Sequence, residues 1–166
     1  MHETRNAQTL GHRTVVDSLD REFARLHAQS CRITEGIDDQ VLYVKAGKSG
    51  HSVGEALLRC AAEIEQTFGG ITANLWDDPF EWTLPEHLST RPKIIEHLGE
   101  VETLRKRAFE SFSDDDCLSK QVATPSGTCA LVDLLLGTLL RANEYQTQAV
   151  CAVKFLSSIQ AAGFII

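Results

Sequence analysis

Apolar residues recur along this chain at helical spacing. Val15, Leu19, Phe23, Leu26, Ile33 and Ile37 advance in steps of three, four or seven, which marks one face of an amphipathic helix predicted to end near Gly36. A second series, Val53, Leu57, Cys60, Ile64 and Phe68, follows Ser52, which stands three residues before Glu55 in capping-box spacing. Helix two is therefore predicted to start near Val53, and Gly69-Gly70 reads as its stop. Ile94, Leu98, Val101, Leu104, Ala108 and Phe112 define helix three, opened by Arg91-Pro92, where proline suits a first turn. It ends before the polar run at 113–116. After a turn at Pro125-Ser126-Gly127, helix four runs from Thr128 to Ser158 with Leu131, Leu135, Thr138, Ala142, Tyr145, Ala149, Val153 and Leu156 on its stripe. No strand-like alternation and no internal repeat competes with these helices.

The irregular stretch 69–91, with Asp77-Asp78-Pro79-Phe80-Glu81-Trp82 and Pro85, has no helical period and reads as a long connection. A helix of about 20 residues is ~30 Å long, whereas some 23 extended residues reach roughly 70 Å. The connection can therefore cross the molecule and leave helices two and three parallel. The predicted fold is all-α: one four-helix bundle over 14–166, up-down-down-up, with residues 1–13 as a flexible arm.

With 166 residues, 43% apolar and 23% charged, the chain has the size and balance of one globular domain with its own core. No apolar run approaches the roughly 20 residues that span a bilayer, and the N-terminus lacks the apolar segment of a secretory signal. The expectation is a soluble cytoplasmic protein without a membrane partner. Five cysteines, an odd number without a CxxC pair, argue against a disulfide framework and a thiolate zinc site, and most are expected in the core. A net charge of −7, with Arg105-Lys106-Arg107 as the densest basic stretch, excludes nucleic acid as a favoured partner.

Ser52-Val53-Gly54-Glu55-Ala56-Leu57-Leu58, then Asp77-Asp78-Pro79-Phe80-Glu81-Trp82-Thr83-Leu84-Pro85, then a helix and the turn at Thr124-Pro125-Ser126-Gly127, resemble in their order the DinB-like family. The resemblance covers about residues 15–158. It implies a four-helix bundle with the long crossover, often dimeric, in a family that includes bacillithiol-using thiol transferases and mycothiol-dependent isomerases. It also implies a metal held by one histidine early in helix two and an H-x-x-x-H pair on helix four. At the matching positions stand Arg59, Arg141 and Tyr145. Guanidinium groups stay protonated and repel a divalent cation, so neither metal nor cofactor is expected, and metal-dependent catalysis is not. A register one residue later would put Cys60 in the helix-two place.

Arg59 and Arg141 can instead receive a small anion, a carboxylate or phosphate, with Tyr145 donating a hydrogen bond. The plainer alternative pairs each arginine with a carboxylate such as Glu63 or Glu144. An altered thiol-transferase site at Cys60, or a structural or interaction bundle without a ligand, are further alternatives. Cys60 itself reads as a small core residue. His51, His87 and His97 lie on different elements and read as solvent-facing, and Glu96 and Glu100 as a solvated pair. Trp76, Phe80 and Trp82 either cover a pocket or anchor the connection. The apolar end Gly163-Phe164-Ile165-Ile166 is expected to dock against a second subunit, giving a homodimer.

Overall fold

Helix α1 (Thr14–Glu35) starts after Arg13, whose side chain provides no cap. The cap comes from Asp115, 100 residues along the chain, whose carboxylate accepts from the backbone N–H groups of Val15 and Val16 at 3.0 and 2.9 Å. These amides are among the four that a helix start leaves without partners. Val16 is buried, while Val15, placed on the stripe by spacing, is 45% exposed. The face runs Val16, Leu19, Phe23, Leu26, Ser30, Thr34, entering by a step of three where a step of four was expected. The computed structural model describes residues 12–45, 47, 50–81 and 86–161. The rest of the expected N-terminal arm, Trp82 and the end at 163–166 lie outside the described residues.

Helix α2 (Val53–Ala73) opens on the predicted capping box: Ser52 Oγ accepts from Glu55 N at 3.2 Å, and Glu55 Oε2 accepts from Ser52 N at 2.9 Å. Gly69-Gly70 does not stop it. The helix continues to Ala73 and closes at Asn74, in the left-handed conformation with φ 55°. The Trp76 ring lies where a Cβ on Gly70 would be, so Gly70 is needed for close approach of the connection and not for a break. The connection, shorter than expected at the α2 end, holds one 3-10 turn, Pro79–Glu81.

Helix α3 (Arg91–Ser111) carries Pro92 in its first turn as predicted, and buries Ile94, Leu98, Val101 and Ala108. It also buries His97, Glu102 and Arg105, three polar residues that the apolar pattern had left to solvent. His97 is 8% exposed, against the solvent-facing expectation: it stands three residues after Ile94 and four before Val101, on the packed side of the helix.

A two-stranded antiparallel hairpin then interrupts the helices. Strands β1 (Gln121–Thr124) and β2 (Gly127–Ala130) pair with Thr124 opposite Gly127, and Gly127 takes φ 132° after the Pro125-Ser126 turn. Four-residue strands are too short to show a period, which is why the sequence read only a turn here. Helix α4 therefore starts at Leu131 and runs to Ala161. The described residues are thus mostly helical, with four long helices and one small sheet.

Both α1 and α2 pack against α3 and α4. At the centre, the rings of Phe23, Phe68 and Phe109 meet with centroids 5.2, 5.6 and 5.9 Å apart. Burying each such side chain contributes about 1.5–3 kcal/mol. Across the seams, Glu63 and Thr67 of α2 meet Arg141 and Thr138 of α4, and Asp20 of α1 meets Arg105 of α3. No helix among the described residues is long and apolar enough to cross a membrane.

Candidate functional site

On α2, Arg59, Ala62, Glu63 and Gln66 follow the i, i+3, i+4, i+7 rule and so share one face. Tyr145 of α4 and Asp78 and Phe80 of the connection close a recess of about 120 Å³ over that face. The Arg59 guanidinium carbon sits 3.9 Å above the centre of the Phe80 ring and 6.0 Å from that of Tyr145. A cation over an aromatic face is worth about 0.5–2 kcal/mol, so Phe80 fixes the arginine while leaving its edge unused. Arg59 Nε is buried and has no hydrogen-bond partner among the described residues.

Arg141 behaves differently. Its Nε donates to Glu63 Oε2 at 2.7 Å, an ion pair in which the arginine is 52% exposed. Behind it, the hydroxyls of Thr67 and Thr138 meet at 2.7 Å in the α2/α4 seam. Asp78 Oδ1 accepts from Phe80 N at 2.9 Å, which holds the 3-10 turn that presents the ring. Both carboxylates at the recess are therefore engaged: Glu63 by Arg141 and Asp78 by the backbone.

Of the four residues singled out from sequence, Arg59 and Tyr145 line this recess and Arg141 lies at its edge through Glu63. Cys60 does not line it; it is 1% exposed and packs with the interior cluster. Burial pushes its thiol up to about 12, only partly opposed by a hydrogen bond with Ser30, so it is held as a neutral thiol. All five cysteines are free, but only Cys60 and Cys117 are buried, fewer than expected, because Cys31, Cys129 and Cys151 fall at the margins of their helices or on the hairpin.

The residues do not fit a metal. Two of the three positions that the sequence resemblance assigns to ligands hold guanidinium groups, and among the described residues no group of three or more His, Cys, Asp or Glu is placed to hold one. His51, His87 and His97 do not converge either: His51 lies with its ring 6.0 Å from Tyr145, His87 is exposed, and His97 is packed between α2 and α3 beside Glu65. Of the aromatics in the connection, Trp76 anchors it against Gly70 and Phe80 lines the recess.

Sequence reasoning missed two polar pairs on α3. Arg105 is 2% exposed and donates to both Glu102 oxygens at 2.8 and 2.7 Å and to Asp20. His97 Nε2 stands 3.7 Å from Glu65 Oε2, and neither atom has a hydrogen-bond partner among the described residues. The signal was present: Arg105 is four residues after Val101 and three before Ala108, inside the apolar stripe. Comparison with protein-family models, with curated proteins and with solved structures brought no match.

Proposed function

We propose that this chain is a DinB-like bundle of up-down-down-up topology that works without the family's metal and binds a small anion at Arg59. Three sets of contacts support the topology. Asp20 against Arg105 and Arg13 against Phe112 suit antiparallel α1 and α3, and Glu63–Arg141 with Thr67–Thr138 suit antiparallel α2 and α4. Glu65 beside His97 and Phe68 beside Phe109 suit parallel α2 and α3.

One observation carries the anion reading: Arg59 is clamped by its face on Phe80 while its Nε has no partner among the described residues. Buried donors are almost always paired, so a pre-positioned and unpaired guanidinium edge is a receptor for an acceptor-rich group. About 120 Å³ limits the ligand to a small oxyanion such as a carboxylate or phosphate. Cys60 does not serve the thiol-transferase alternative, because a buried neutral thiol is a poor nucleophile.

Thermal melting in acetate and in phosphate, against chloride at equal ionic strength, tests this. Wild type is expected to melt higher in one of the oxyanions, and Arg59→Gln to lose that increment. Equal increments in both proteins would reject the site and leave a structural bundle. Elemental analysis after incubation with zinc and with nickel is expected to find no stoichiometric metal; finding it would overturn the metal-free reading.

A further inference from the structure

The connection that closes the Arg59 recess also walls a second one on the adjoining face of α2, with Gln66 between them. Glu65, Gly69 and Thr72, at i, i+4 and i+7, form its floor, and Leu75, Asp77 and Leu104 stand around it. Its volume of about 300 Å³ is at the lower end of small-molecule pockets. We infer that this recess binds a protonated organic amine with a short apolar body, its ammonium group on Glu65.

The hydrogen-bonding side chains of the recess are arranged as acceptors. Glu65 and Asp77 are carboxylates. Thr72 Oγ1 uses its proton on Phe68 O at 2.6 Å, which leaves it only acceptor capacity, and Gln66 directs its amide NH₂ to Trp76 O at 2.8 Å. Among the described residues no lysine or arginine lines it. A site of acceptors and negative charge selects a ligand of donors and positive charge, and an ammonium group has three donors and no acceptor. The apolar part of such a ligand meets Leu104 and Leu75, the latter 60% exposed and serving no core.

Glu65 is built for this. Its Oε2 is buried facing His97 Nε2 at 3.7 Å, too long for a hydrogen bond, and His97 Nδ1 is 3.8 Å from Glu100 Oε2. The imidazole thus fixes the inner side of the carboxyl without satisfying it. The Glu65 side chain is 34% exposed and lines the recess. Burial raises the Glu65 pKa, so a cation arriving from the recess gains by favouring the ionised form. This inference does not rest on the anion reading at Arg59, whose recess shares only Gln66 of α2 with this one.

Isothermal titration of the full chain with n-butylamine at neutral pH, beside n-butanol and butyrate at matched ionic strength, tests it. The amine is expected to bind at least tenfold more tightly than either, with the backbone amides of Leu75 and Leu104 shifting in its NMR titration. Glu65→Gln is expected to weaken the amine about tenfold, the loss of one charge-assisted contact, and Asp77→Asn about threefold. Lys154→Gln, exposed on α4 and lining neither recess, should bind it unchanged. Equal affinity for amine and alcohol overturns the proposal, as does full affinity in Glu65→Gln. Should that variant fail to fold, full affinity in Asp77→Asn together with unshifted Leu75 and Leu104 amides overturns it equally.

Discussion

Two glutamates, one on α3 and one facing it from α2, are treated in opposite ways. Glu102, in the seam with α1, has both oxygens on the Arg105 guanidinium, which also reaches Asp20. Glu65, in the seam with α2, faces an imidazole at a distance that makes no hydrogen bond. Burial pushes both carboxyl groups up, but at Glu102 the hydrogen bonds and charge of Arg105 outweigh it and hold the group below its ordinary range, whereas at Glu65 burial wins over His97. The contrast separates a charge cluster that holds the fold from a group left with chemistry to do. Native interiors satisfy what they only need to pack.

The largest expected effect breaks the satisfied side. Arg105→Met leaves the buried Glu102 with only the exposed Lys106, whose Nζ lies 3.5 Å away, and is expected to cost about 3–5 kcal/mol in urea unfolding. The double variant Arg105→Met/Glu102→Leu should recover at least half of that loss, since an apolar pair of similar volume removes the stranded charge. A double variant as unstable as the single one would mean that the arginine acts through packing and not through charge.

The other side breaks at its wall. Gly70→Ala forces the Trp76 ring off α2 and is expected to cost about 1–3 kcal/mol, the range for overpacking. A shift of tryptophan emission in a Trp82→Phe background would report the displaced ring. Smaller again, Arg59→Gln should lose only about 0.5–1 kcal/mol, because a cation–π contact near the surface is all that it gives up. A loss several times larger would make Arg59 a structural residue.

The finest difference is one of slope with pH. A carboxyl held below its ordinary value of 4.5 stabilises the fold above that pH, and the contribution is lost as pH falls through the folded pKa; this is Glu102. A carboxyl held above 4.5 stabilises below that pH and loses the contribution as pH rises through its folded pKa; this is Glu65. Stability profiles of Glu102→Gln and Glu65→Gln should therefore differ from wild type with opposite slopes on either side of pH 4.5. Slopes of the same sign would remove the distinction between the two seams.

What could be read in the sequence was what neighbouring residues decide. The Ser52–Glu55 capping box, Pro92 in the first turn and the apolar stripes depend on residues within one or two helical turns, and the helices they predict are present. Gly69-Gly70 was misread because its partner is a tryptophan arriving from outside the helix. Arg105 was taken for part of a basic surface run because one of its carboxylates, Asp20, is 85 residues away. At the site, Arg59, Arg141 and Tyr145 were found by spacing on two helices, while Phe80's hold on Arg59 and Glu63's on Arg141 depend on packing between elements.

The cap that Asp115 places on α1 sets an order in time. A chain made from its N-terminus releases Val15 and Val16 long before residue 115 exists, so the first turn of α1 must wait for the segment after α3 before its amides are answered. Until then that turn has only local contacts such as Arg13–Asp17 and Ser18–Thr14 to hold it, and closing the long-range contact means closing a loop of 100 residues. The start of the first helix is accordingly among the last parts of the backbone to settle.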